Sequence, residues 1–206
     1  MKHIILILFA VLFALSCSKD IDTNTQIDTS ILNFKKYEEL LSTVDLDLFK
    51  NNSKVIFKNG LGAEKIMSIS LTESSQKQSV NGQDIVLPKM AVNYYDASDT
   101  KYVLYFYLTT NVLDNNLDQN ASLTASVFTN LVEFTPSISF NHLGNPFACT
   151  YNNNNIILGK TFDFVYSSIP SKEFEIFSEL HFTKTLGIVG FRDTNNELWV
   201  FERFAE

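Results

Sequence analysis

From residue 55 onward the chain is written in short runs of β-branched and aromatic residues separated by turn-forming polar ones, a pattern that points to an antiparallel sheet. Val55-Ile56-Phe57 gives way to Lys58-Asn59-Gly60, a turn signature. In residues 66–71, Ile66, Ser68 and Ser70 alternate with Met67, Ile69 and Leu71, which is the period of a strand with two unlike faces. Residues 72–90 read as a polar excursion holding the turn dipeptide Asn81-Gly82 and a brief edge strand, 85–87, before Pro88. Residues 92–95 and 102–108 form the clearest hairpin, and the second of these is apolar on both faces, as befits a strand with neighbours on either side.

Further strands are expected at 122–129 and at 132–140, the latter interrupted by Pro136. A loop at Asn152-Asn153-Asn154-Asn155 precedes a second hairpin, 156–158 and 161–166, turning at Gly159. A meander of 174–182, 187–191 and 197–204 closes the chain. Such regular spacing predicts a mainly β fold, an antiparallel β sandwich or an open curled barrel. One short N-terminal helix is expected at 34–42, with Ser30 as its cap and Thr43-Val44-Asp45 weakening helical propensity beyond it.

The beginning of the chain has a different grammar. Met1-Lys2-His3 is followed by an unbroken apolar run, 4–15, and then by Ser16-Cys17, the charged, apolar and small-residue order of a secretory signal. The run falls well short of the roughly 20 apolar residues that a membrane-crossing helix needs. Ala14-Leu15-Ser16-Cys17 resembles the lipobox of bacterial lipoproteins, although most lipoboxes carry Leu where Ala14 stands. That resemblance implies cleavage before Cys17, acylation of its thiol and anchoring to a membrane, since acyl chains contribute about 0.8 kcal/mol per buried CH₂. Ser18-Lys19-Asp20-Ile21-Asp22 resembles a lysine-plus-acid export signal of Bacteroidota lipoproteins, which implies the outer membrane and leaves the leaflet open. The expected organisation is a signal peptide at 1–16, a lipidated cysteine with a polar tether at 17–30, and a single β-rich domain at 31–206.

Formal charge is −7, and the 16 Lys and Arg residues are scattered, with only Lys35-Lys36 adjacent, so no track for a phosphate backbone is expected and nucleic acid is not an expected partner. The second cysteine, Cys149, would have no thiol to pair with once Cys17 carries lipid, and is expected to be buried as a small apolar residue.

The C-terminal segment is the most distinctive. Leu180-His181-Phe182, Gly187-Ile188-Val189-Gly190-Phe191, an Asp-Thr-Asn-Asn turn and Glu197-Leu198-Trp199 come in succession, and this order resembles the tail of uncharacterised Bacteroidota-type lipoproteins in which Gly-Ile-Val-x-Phe precedes Glu-Leu-Trp. Phe57-Lys58-Asn59-Gly60-Leu61-Gly62 and 160–165 are similar to other pieces of that pattern. The resemblance implies an envelope address and a β architecture, and transfers no site residue. Asn195-Asn196 stands where Gly is common, and Asn tolerates the positive φ such a turn requires.

Little in the sequence points to catalysis. Cys149 with His142 or His181 would be the only cysteine-histidine pairing, and no nucleophile elbow or Gly-rich oxyanion loop accompanies it. Asp114, Asn116 and Asp118 have the spacing that opens a calcium loop, but Gln119 replaces the required Gly and Ala125 the bidentate Glu. No metal or cofactor is expected. The remaining signal is aromatic: among 18 Phe, 8 Tyr and 1 Trp, the residues Tyr94, Tyr95, Tyr105, Tyr107 and Trp199 are candidates to face a ligand, set against a purely structural role as cross-strand pairs. The expected function is a membrane-anchored, non-catalytic binding or accessory protein whose partner is an envelope protein, a glycan or an apolar ligand. The alternatives are a surface hydrolase and a carrier of a lipid or other apolar molecule. A carrier predicts a continuous apolar cavity, and a glycan binder a shallow aromatic platform.

Overall fold

Alternation becomes a nearly closed barrel here because successive strands pair with one another, except at one seam, and the last strand returns to pair with the first. The computed structural model describes residues 32–80, 82–112, 119–129, 137–141, 146–147, 149–168 and 179–206. The expected signal, Cys17, the tether, Ser30, Asn81, the 114–118 loop, Pro136 and His142 lie outside the described residues. Among the described residues two short helices, α1 (Lys35–Leu41) and α2 (Leu46–Asn51), precede twelve strands. These are β1 (Lys54–Asn59), β2 (Glu64–Val80), β3 (Gln83–Asp96), β4 (Tyr102–Val112), β5 (Gln119–Thr129), β6 (Ser137–Asn141), β7 (Pro146–Phe147), β8 (Cys149–Ile157), β9 (Lys160–Ser168), β10 (Leu180–Thr183), β11 (Gly187–Arg192) and β12 (Leu198–Ala205).

The sheet order is β7-β6-β5-β4-β3-β2-β1-β12-β11-β10-β9-β8, with antiparallel neighbours throughout. The chain is therefore mainly β, a nearly closed barrel-like sheet, and of the two expected forms it is the curled barrel. The two ends of the order, β7 and β8, are consecutive in the chain. Closure runs through β1 and β12, with Val55 opposite Phe204 and Phe57 opposite Phe201 across a register shift between Ile56 and Phe57.

Three expectations need correction. The single helix is two, because the chain turns at 42–45 and Asp45 starts a new helix, its carboxylate accepting from Leu48 N at 3.4 Å. The polar excursion at 72–90 is the far half of a long β2–β3 hairpin, paired without a break from Thr72↔Ala91 to Val80↔Gln83. The Asn152–155 stretch is strand, not loop, since pairing with β9 outweighs the poor strand propensity of Asn.

Pro88 explains a local irregularity. It offers no N–H, and the β3–β4 ladder stops at Lys89↔Thr109. Beyond that point two side chains of β2 take over the bonding: Gln76 Nε2 donates to Thr110 O and Gln78 Nε2 to Val112 O, both at 2.7 Å, while Val112 N donates to Gln78 Oε1 at 2.9 Å.

The barrel interior is filled by its own side chains. Tyr94, Leu104, Phe106, Leu108, Leu123, Phe182, Ile188 and Phe191 are all fully buried in one cluster, and Phe49 of α2 enters it, its ring 6.2 Å from Phe106 and 5.6 Å from Phe204. Asp45 N donates to Thr185 O in the β10–β11 turn, so the helices close the end of the barrel where that turn lies. Two glycines of β11 fit this packing. A Cβ on Gly187, whose φ is +72°, would overlap Tyr94 Oη and stand 3.1 Å from both Phe106 Cδ1 and Phe49 Cζ. A Cβ on Gly190 would stand 3.0 Å from the His181 ring.

A second, smaller cluster of Ile157, Phe162, Val165, Val189 and Val200 lies apart from the first. Val200 is next in the chain after the inward-facing Trp199, so it belongs to the outer face. The β8–β9 hairpin thus folds back over the outside of β11 and β12, where Lys160 Nζ donates to Phe201 O at 3.1 Å and forms an ion pair with Glu202. The bend falls at Phe164, which has φ +56° and breaks the alternation, so that Phe162 and Val165 face the same cluster.

Candidate functional site

Strand alternation sorts the candidate aromatics into two groups. Tyr94 shares a phase with Val92 and points inward; it is fully buried, and its hydroxyl accepts from Ile188 N at 3.3 Å. Burial pushes its pKa well above the ordinary tyrosine value, outweighing the lowering effect of the Ile188 N–H. Trp199 is also buried, with Nε1 donating to Asp193 Oδ2 at 2.8 Å. These two are core residues and do not face a ligand.

Tyr95, Tyr105 and Tyr107 fall on the opposite phase and lie on the outer face. The cross-strand register builds that face in rows. Ser68, Tyr95, Val103 and Phe128 form one row; Ser70, Asn93, Tyr105 and Ser126 the next; Thr72, Ala91, Tyr107 and Thr124 the third; Ser74, Lys89, Thr109 and Ser122 the fourth. Ala91 is the small residue among larger neighbours, and a groove of about 400 Å³ opens there. Its walls are the rings of Tyr105 and Tyr107, the side chain of Lys89, and hydroxyls of Thr72, Ser74 and Ser126.

The groove is preorganised. Phe128, 65% exposed, meets the Tyr105 ring edge-on at 6.4 Å, and Lys89 Nζ lies 5.8 Å from the centre of the Tyr107 ring. Asn93 Oδ1 is buried within the groove and has no hydrogen-bond partner. An unmatched buried acceptor costs about 1–3 kcal/mol, which a donor from outside would recover only once the amide turned outward to meet it.

A larger concavity of about 750 Å³ lies between the folded-back β8–β9 hairpin and the β10–β11 turn, lined by Tyr151, Phe164, Tyr166, Lys184 and several threonines. Tyr151 and Tyr166 pack at 5.0 Å, and Tyr166 stacks on Phe182 at 4.9 Å. Desolvation lowers the pKa of Lys184 here.

One cluster of titratable groups is committed to structure. Lys65 Nζ sits 2.9 Å from Asp96 Oδ2 and 3.1 Å from Asp193 Oδ2, all three nearly buried, and 4.7 Å from the centre of the Trp199 ring. Tyr102 Oη and Ser98 Oγ donate to Asp96 at 3.2 and 2.5 Å, and the amides of Asn195 and Glu197 donate to Asp193 at 2.9 and 3.1 Å. Desolvation opposes ionisation of both Lys65 and Asp96, but their mutual bonding, with Asp193 and Ser98, outweighs it and holds the lysine above and the aspartate below its ordinary pKa. This cluster ties the β3–β4 and β11–β12 loops to β2.

His181 is buried with Nδ1 2.8 Å from Ser167 Oγ, while Cys149 is buried on β8. Desolvation lowers the His181 pKa; the Glu179 charge works against that and the Arg192 charge with it. Among the described residues no group of three or more His, Cys, Asp and Glu is placed to hold a metal ion, and no helix is long and apolar enough to cross a membrane.

No family model, curated protein or solved structure matches the chain. The groove must therefore be read from its own chemistry. Sequence reasoning reached Tyr95, Tyr105 and Tyr107 through their residue type, and missed Asn93, Lys89 and Phe128. The missed signal was phase: Asn93 and Lys89 alternate with Val92 and Met90, which assigns them to the face opposite the core.

Proposed function

We propose that this protein is a lipid-anchored component of the cell envelope, held through Cys17, that acts by binding and not by catalysis. The observation that carries the binding reading is the groove over Ala91, an outward aromatic recess with an unmatched buried acceptor at Asn93. The arrangement favours it over a carrier, because the barrel interior is occupied by Tyr94, Phe106, Phe182 and Phe49. It favours it over a hydrolase as well, since Lys65, Asp96 and Asp193 neutralise one another in a nearly closed cluster. The outer membrane is the address we assign, on the residues directly after Cys17.

Two measurements test this. Intact mass and membrane fractionation of the native protein against Cys17→Ala should reveal a lipid-sized increment and membrane sedimentation that the variant loses; an unmodified, soluble native chain refutes the anchor. Hydroxyl-radical footprinting should then find Tyr105, Tyr107 and Phe128 less reactive in intact envelopes than in the purified protein. Equal reactivity in both would refute binding at this face.

A further inference from the structure

We infer that the groove over Ala91 takes a neutral glycan, with one sugar ring seated against Tyr107 and the adjoining one against Tyr105. This assignment rests on the binding reading above and names its ligand class.

The position of the groove limits what can occupy it. Its rings stand on β4, which is paired there with β3 and β5 on its two sides, while β2 pairs with β1 only as far as Ser68; a peptide strand added to that open β2 edge would lie three strands away from Tyr105 and Tyr107, beside the groove and not in it. A lipid tail would have to desolvate the hydroxyls of Thr72, Ser74 and Ser126 and the amide of Asn93 without returning a hydrogen bond, which is unfavourable. A nucleic acid strand needs a basic track, and among the described residues Lys89 is the sole basic one lining the groove, on a protein of charge −7. That overall charge also works against polyanionic sugars.

A neutral sugar answers each feature. Its apolar C–H face suits a tyrosine ring, and its hydroxyls both donate and accept. Two tyrosines on alternate residues of one strand stand about 7 Å apart along the face, a spacing that presents successive platforms to a chain of rings. Asn93, lying beside Tyr105 in the register, accepts one sugar hydroxyl at Oδ1 once its amide turns outward, and Lys89, Ser74 and Thr72 line the other side. The volume of about 400 Å³ is at the small end for a ligand pocket and open to solvent along the sheet, as a chain that continues past the site requires.

The test uses the whole mature protein in detergent and isothermal titration against four soluble neutral polysaccharides, namely dextran, glucomannan, xyloglucan and α-mannan, with polygalacturonate as the charged control. The expected result is binding to at least one neutral polymer, weakened tenfold or more by Tyr107→Ala and by Tyr105→Ala, but less than threefold by Tyr107→Phe, which keeps the ring. Should an alanine variant fail to fold, Ser126→Trp blocks the groove from the neighbouring strand and should abolish binding. Binding to none of the four, binding only to polygalacturonate, or binding indifferent to these variants overturns the proposal. Chromatography of the titrated polymer separates the two readings: a shortened neutral polymer would refute the non-catalytic reading and keep the glycan assignment. Envelope footprints at Tyr105 without binding to any of the four polymers would do the reverse.

Discussion

Gly187→Ala is the substitution for which the structure gives the most definite expectation. Gly187 opens β11 at φ +72°, where a side chain costs about 1–2 kcal/mol through contact with the next carbonyl. The new methyl would also overlap Tyr94 Oη and crowd Phe106 and Phe49, all buried, and overpacking of that kind costs about 1–3 kcal/mol. Together these predict destabilisation of about 2–5 kcal/mol, or a fall in Tm of about 5–15 °C for a domain of this size. Tyr94→Phe by itself should cost about 1–3 kcal/mol, because Ile188 N loses its acceptor. In the Gly187→Ala background, however, the same change removes the atom that the methyl strikes. The double variant should therefore be more stable than the sum of the single effects by at least about 1 kcal/mol. Urea denaturation of the four proteins measures this. A Gly187→Ala protein within about 0.5 kcal/mol of the native one, or strictly additive single effects, would refute the packing account of this glycine.

Other buried or strained positions carry expectations of their own. Lys65→Met strands two buried carboxylates and should cost about 3–5 kcal/mol by chemical denaturation; a loss below about 1 kcal/mol would mean that Asp96 and Asp193 are satisfied without the lysine. Phe164 is 58% exposed at φ +56°, so Phe164→Asn gives up little burial, relieves backbone strain and should stabilise by about 0.5–1 kcal/mol, whereas a net loss would mean that the ring packs more tightly than its exposure implies. His181 has a depressed pKa in the folded state, so the unfolded chain takes up its proton first as pH falls below the ordinary histidine value of 6.5. The stability from the neutral imidazole is thus full above that pH and is lost as pH falls through the folded-state pKa. The acid limb of a stability–pH curve should flatten in His181→Gln, and an unchanged limb would assign that pH dependence to other groups.

The distinctive C-terminal tail is a packing motif. Gly187 clears the Tyr94 hydroxyl, Gly190 clears the His181 ring, Phe191 meets Phe57 at 5.1 Å, and Trp199 bonds Asp193. Asn196 adopts φ +61° in the turn between β11 and β12, as its residue type allows. The residues legible from sequence were those whose role comes from local preference: the hairpin turns, the alternating faces, and the end of the first helix before Thr43-Val44-Asp45, whereas the second helix that Asp45 starts was not expected.

What the sequence determined by itself was therefore the sheet, most of its strands, and the aromatic types available to a surface, because period-two patterning and turn chemistry act over a few residues and need no partner. Closure of the barrel through β1 and β12, the meeting of Lys65 with Asp96 and Asp193, and the row that sets Asn93 beside Tyr105 were decided only by the tertiary structure. Each depends on which residue of one strand lies opposite which residue of another. That register is set by the fit of the whole core, and a strand's own residues do not carry it.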